Sequence, residues 1–262
     1  MLSRYHLFSF VLFAGGLALA QAEIDSSATS RAGADHLVGE ALAAEARFDS
    51  KAALELFKRA DAARPNDPFI LQKLSRQFSD LTVDATDKTE NRRLCAEALA
   101  YAKRAVELQP DNAVNVLSLA VCYGKLGLYS DNRTRIEYSR LVREYAEQAE
   151  RLNPNFDYAH HVLGRWHYEV ASLSGGTRFL VKLIYGGLPR ASTSKAIWHL
   201  RRAVELSPTL PSHRVELGFA LLADAQRDAA RIAFEQALAL PTQEKYDTEA
   251  RRRALTALEA LR

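Results

Sequence analysis

Tyr158, His161, Arg165 and Tyr168 recur at about one helical turn, so on a helix they would share one face. A guanidinium, an imidazole and two phenols spaced in this way could hold an anion such as a peptide carboxylate or a lipid phosphate. Glu169 stands four residues after Arg165, and an intrahelical ion pair would compete with that use. His160, His161 and His167 raise metal chemistry. Two of them point to different helix faces and the third lies six residues on, so the one-turn spacing of a helical His-x-x-x-His site is missing, and neither metal nor cofactor is expected. Cys95 and Cys122 fall on what read as consecutive antiparallel helices, within about one turn of register. In an oxidising compartment they could form a disulfide, and otherwise they read as buried thiols. There is no glycine-rich phosphate loop and no Ser-His-Asp or Cys-His arrangement, so an enzyme is not expected.

The elements that position these groups follow from composition and punctuation. The 262 residues are 48% apolar and 26% charged, a soluble globular profile. A net charge of +3 is far from the concentrated positive charge of a nucleic-acid binder. Residues 1–22 carry Arg4, an uncharged apolar run from Leu7 to Ala20, and Ala20-Gln21-Ala22, the three parts of an export signal cut after Ala22. An N-terminal membrane anchor is the alternative. The signal implies an exported protein of the bacterial periplasm. Residues 23–35 read as a flexible lead-in and residues 36–262 as one helical domain.

All eight prolines lie between segments with helical periodicity. Before Pro65, Pro110, Pro154 and Pro208 the same small and apolar spacing recurs: Ala53, Phe57 and Ala60; Ala98, Ala102 and Ala105; Val142, Ala146 and Ala149; Ala196, Leu200 and Ala203. Each set lines one helix face where a neighbour can approach closely. After the prolines come Leu119-Ala120-x-x-Tyr123, Leu163-Gly164-x-x-His167 and Leu217-Gly218-x-x-Leu221, a large-small pattern suited to an antiparallel partner. The chain therefore reads as helix pairs.

These residues resemble the tetratricopeptide repeat. The resemblance implies an all-α solenoid of about five antiparallel helix pairs with a capping helix over Thr248–Leu261. Proline intervals of 45, 44, 54 and 33 residues against about 34 for the ordinary unit place long insertions inside repeats two to four. The run Leu163-Gly164-Arg165-Trp166-His167-Tyr168-Glu169-Val170-Ala171, with Tyr185-Gly186-x-Leu188-Pro189 and Ala203-x-Glu205-Leu206-x-Pro208, is similar to the core of the regulator of microtubule dynamics protein family. That resemblance implies a non-catalytic binding module. It also implies a microtubule-associated role, as in animal members, or phospholipid binding, reported for the repeat domain of one organelle tether. The export signal departs from the animal pattern, because a periplasmic protein meets no microtubule.

In such an array the first helix of each pair lines the concave face. Groove positions are then Phe69, Gln72, Arg76 and Asp80 in repeat two, Val121 and Lys125 in repeat three, Tyr158, His161, Arg165, Tyr168 and Glu169 in repeat four, and Phe219 and Leu222 in repeat five. A protein or peptide segment docked there is the expected partner, with Tyr158, His161, Arg165, Tyr168, Arg76 and Lys125 holding it, and Trp166 turned to the core. Between Gly175 and Pro189, Phe179, Leu180, Val181, Leu183, Ile184 and Tyr185 with Arg178 and Lys182 make a short amphipathic helix. It reads as a lid over an apolar cavity, a cover for the repeat core or a peripheral contact with anionic phospholipid, with Gly175-Gly176 and Gly186-Gly187 as hinges.

Overall fold

A computed structural model of the chain describes residues 32–261. The proposed export signal, 1–22, lies outside them. Helix α1 spans 32–46. The others are α2 (Ser50–Ala63), α3 (Pro68–Leu81), α4 (Lys88–Leu108), α5 (Ala113–Leu128), α6 (Asn132–Leu152), α7 (Asp157–Ala171), α8 (Gly175–Tyr185), α9 (Thr193–Leu206), α10 (Pro211–Ala223), α11 (Arg227–Ala239) and α12 (Asp247–Ala260). No strand occurs among the described residues. Helix already runs from residue 32, and Ala34 is buried, so the C-terminal end of the expected lead-in belongs to the fold.

Local chemistry explains where most helices begin. Asp49, Asp67, Asp87, Asn112, Asp131, Ser174 and Ser192 each accept a backbone N–H from the first turn of the helix they precede, a cap that contributes about 1 kcal/mol. Pro68 and Pro211 are the first residues of α3 and α10, where a missing N–H costs no helical bond.

Pairs α1/α2, α3/α4, α5/α6, α7/α9 and α10/α11 are the five repeats, and α12 caps the last. The recurrent alanine face is the seam. Ala53, Phe57, Ala60, Ala98, Ala102, Ala105, Ala146, Ala149, Ala196, Leu200, Ala203, Ala230, Phe234 and Ala237 are completely buried. Opposite them the small residue of the first helix sets the distance of approach. A Cβ on Gly164 would lie 2.5 Å from Leu200 Cγ, and one on Gly218 2.4 Å from Phe234 Cε1. Trp166 fills the core as expected and donates its indole N–H to Ser139 O at 2.8 Å.

The extra residues of repeats two and three lengthen the second helix, so that α4 and α6 each have 21 residues against 14 in α2. In repeat four they form the separate helix α8, which contributes no buried residue. Its apolar side chains Phe179, Leu180, Leu183 and Ile184 are 54–70% exposed. The core-cover expectation therefore fails: α8 is tied down at its end, where Arg140 donates to Tyr185 O and Gly187 O at 2.6 Å. Gly186 and Gly187 take positive φ and close the helix, and Gly175 and Gly176 are its first residues.

Cys95 and Cys122 are buried and free. The disulfide weighed from the sequence is absent from this arrangement, in which the Cys122 sulfur lies 3.5 Å from Ser75 Oγ of α3. Burial pushes the Cys122 thiol up to about 11.

Candidate functional site

First helices touch in succession, α3 on α5, α5 on α7, α7 on α10 and α10 on α12. They form the inner layer, and the groove residues read from the register sit on it. The array curls far enough that the connector between α11 and α12 reaches repeats one and two. Gln243 and Glu244 donate their backbone N–H groups to Asp247 Oδ2 at 2.8 and 2.9 Å, which folds the connector into a tight turn. Arg76 Nη2 then pairs with Glu244 Oε1 at 3.1 Å, and Lys245 Nζ with Asp84 Oδ2 at 2.5 Å. Tyr246 donates its hydroxyl to Ser79 O at 2.9 Å.

Arg76, Lys125 and Tyr158, expected to hold a partner, thus hold this chain's own connector. Arg76 also faces Glu45 at 3.2 Å and Asp80 at 3.7 Å. Lys125 Nζ donates to Ser79 O, Thr82 Oγ1 and Tyr246 Oη at 2.6, 3.0 and 2.6 Å. Burial lowers the pKa of Lys125, while the nearby Asp80 opposes that shift. For Tyr158, burial and then the Glu244 carboxylate push the phenol far above its usual value.

The Arg165 face, read from the sequence as a place for a partner's anion, meets a carboxylate of this chain supplied by α10. Glu216 is 3% exposed. It accepts from Tyr168 Oη at 2.8 Å and Arg253 Nη1 at 2.6 Å, and Arg165 Nη1 lies 3.8 Å away. Burial opposes ionisation, but Arg165 and Arg253 outweigh it and hold Glu216 below the ordinary carboxylate range. Arg165 Nε also pairs with Glu169 at 2.8 Å, the competing intrahelical pair. His161 turns to His213, Nδ1 to Nδ1 at 3.0 Å, and His213 meets Asp157 at 3.1 Å. Enclosure pushes His161 down to about 3, and His213 reinforces this, so the ring is neutral and contributes no charge to an anion site.

One strip of the inner layer keeps its side chains unsealed. Phe69 on α3 with Val114 and Val121 on α5 are 37–47% exposed. Gln72 Nε2 donates to Ser118 Oγ at 3.2 Å between them, which places the two faces side by side. Spacings of 69, 72 and 76 and of 114, 118, 121 and 125 identify these faces in the sequence. The closure beside them is missed, since Glu244 and Tyr246 belong to no periodic pattern and meet Arg76 and Lys125 across more than 120 residues.

Arg178, Phe179, Lys182, Leu183 and Tyr185 stand away from this groove on α8. One surface cleft, of about 600 Å³, is lined by Arg92, Lys103, Tyr129, Thr134 and Tyr138 among others. Another, of about 490 Å³, is lined by Glu147, Glu150, His167, Lys195, Trp198 and His199 with Ser194. Residues of α8 line neither.

Comparison with known proteins agrees with this architecture. A solved thermophilic TPR protein of Thermus thermophilus, TTC0263, superposes with a TM-score of 0.62 at 25% identity, covering 86% of this chain and 99% of that one. Regulator of microtubule dynamics protein 1 of Bos taurus is 29% identical over 152 residues, 58% of this chain and 48% of that protein. Regulator of microtubule dynamics protein 2 of Homo sapiens is 24% identical over 181 residues, 69% of this chain and 44% of that protein. The chain thus spans about half the length, or less, of these curated relatives. The family described as Regulator of microtubule dynamics protein 1-3 matches residues 37–262. With that match over nearly the whole helical array, the chain belongs to the regulator of microtubule dynamics family, built as a TPR-like scaffold.

Proposed function

We propose that this scaffold receives an extended protein segment along the inner face of repeats two and three. The supporting observation is the exposed strip of Phe69, Val114 and Val121 beside Arg76, at the end of the groove that the chain's own connector leaves open. Apolar side chains at this spacing can seat alternate residues of an extended chain. A photo-crosslinking residue at Val121 should capture a partner, and Phe69→Glu should abolish the adduct. Adducts formed only from Leu108, or equally with Phe69→Glu, would refute groove binding.

A second reading rests on the exposed apolar face of α8, flanked by Arg178 and Lys182: peripheral contact with an anionic phospholipid surface. Flotation with vesicles containing phosphatidylserine should then be lost in Leu183→Glu. No described helix is long and apolar enough to cross a membrane. We further propose export with cleavage after Ala22. A mature N-terminus at Glu23 would support it and remove the microtubule role named in the relatives, which requires a cytosolic protein.

A further inference from the structure

Behind the groove, three elements converge on a set of donor atoms that the scaffold function does not use. His160 on α7 and His199 on α9 are buried, with Nδ1 facing Nδ1 at 3.1 Å. Glu150, from the last turn of α6, brings Oε1 to 3.5 Å from the His160 nitrogen and 3.8 Å from that of His199. Donors at the corners of a tetrahedron around a metal ion bonded at about 2.0–2.1 Å lie about 3.3 Å apart. The three observed separations bracket that edge.

The surrounding groups prepare these atoms for such a role. His160 Nε2 lies 2.9 Å from Pro154 O, the hydrogen bond of a ring protonated at Nε2, which leaves the lone pair on Nδ1. Among the described residues the Glu150 carboxylate accepts no hydrogen bond, although its side chain is only 26% exposed. His167 stacks on His199 with centroids 5.8 Å apart. The cleft of about 490 Å³ opens onto Glu150 and His199, giving an ion a path and leaving room for a water as fourth ligand.

We propose that Glu150, His160 and His199 form a binding site for a divalent transition-metal ion of the zinc type. Two imidazoles and one carboxylate suit Zn²⁺ better than Ca²⁺ or Mg²⁺, which take oxygen ligands. Such an ion would clamp α6, α7 and α9, joining repeats three and four where the family motif lies. Glu147, beside the cleft, is already paired with Arg143 at 2.7 Å and is not a ligand here.

The test uses the full chain without a polyhistidine tag, stripped with chelator and titrated with Zn²⁺ by calorimetry at about pH 7.5. One ion per chain is expected, and Co²⁺ should give the absorption of a four-coordinate site. Losing a residue that supports a ligand costs about 10–100-fold in affinity, so His199→Ala and Glu150→Gln should each lose at least that. Glu150 is partly exposed, so Glu150→Gln keeps the test valid if a histidine variant does not fold. His36→Ala, which removes an exposed His-Glu pair on α1, should change nothing. No stoichiometric binding by the wild type, or undiminished binding in Glu150→Gln, would overturn the proposal and leave a hydrogen-bonded histidine pair.

Discussion

Replacing Gly218 by alanine isolates the contact that sets the spacing of the fifth pair. The new Cβ would lie 2.4, 2.7 and 2.8 Å from Phe234 Cε1, Cδ1 and Cζ. Carbon atoms pack best at about 3.5–4.0 Å, so the ring must retreat by about 1 Å. It has little room to do so, because Phe234 is fully buried and Phe219 stands edge-on to it with centroids 5.0 Å apart. Overpacking of this kind costs about 1–3 kcal/mol. Three contacts under 3.0 Å to a fully buried ring put the cost in the upper half of that range; alanine returns about 1 kcal/mol of helix propensity, so the net loss should be about 1–2 kcal/mol, or roughly 2–8 °C in melting temperature for a chain of this size. The same exchange at Gly39, an exposed position in α1 with nothing within 4 Å, carries the propensity gain without the clash. Gly39→Ala should therefore raise the midpoint while Gly218→Ala lowers it, in parallel thermal and urea unfolding followed by circular dichroism. Adding Phe234→Leu to Gly218→Ala should recover part of the loss. A Gly218→Ala protein as stable as the wild type would refute the view that the small residue is there to admit the partner ring.

Three further outcomes follow from the same geometry. A carboxyl whose folded pKa is depressed contributes stability that is complete above its unfolded value of 4.5 and is lost as pH falls through the lower folded value. Wild type should therefore lose more stability on acidification below pH 4.5 than Glu216→Gln, measured by urea unfolding at a series of pH values. Ala225 holds φ at 59° in the turn between α10 and α11, and Ala225→Gly should raise stability by about 0.5–1 kcal/mol in thermal melts, since only glycine adopts that region without a Cβ conflict. Leu183→Glu, on the exposed face of α8, should stay within about 0.5 kcal/mol of wild type, whereas Leu200→Ala in the seam should cost about 2–5 kcal/mol in the same urea unfolding assay.

Helical pairing was legible because it is written locally. Capping residues, prolines and the alanine face act within one or two turns, and each has the same meaning wherever the chain goes afterwards. The inner-layer positions followed from the same periodicity, which put Phe69, Arg76, Val121, Lys125 and Arg165 on one layer. Their partners did not follow. The sequence shows Arg165 next to Glu169, but Glu216 comes from the following repeat and Arg253 from the capping helix. The histidines illustrate the same division. Spacing within α7 argues against a metal, yet His160 finds its neighbours Glu150 and His199 on other helices.

By itself the sequence determined the all-α repeat, its seams and its family, since these depend on short-range periodicity and on steric tolerance at single positions. The tertiary structure decided how far the array curls and therefore which groove residues are free. That curl is the sum of small rotations between successive pairs. Only when it is complete does the connector holding Glu244 and Tyr246 meet Arg76 and Lys125. It also decided that α8 presents its apolar face outward, because an amphipathic pattern specifies that a face exists and leaves open what will cover it.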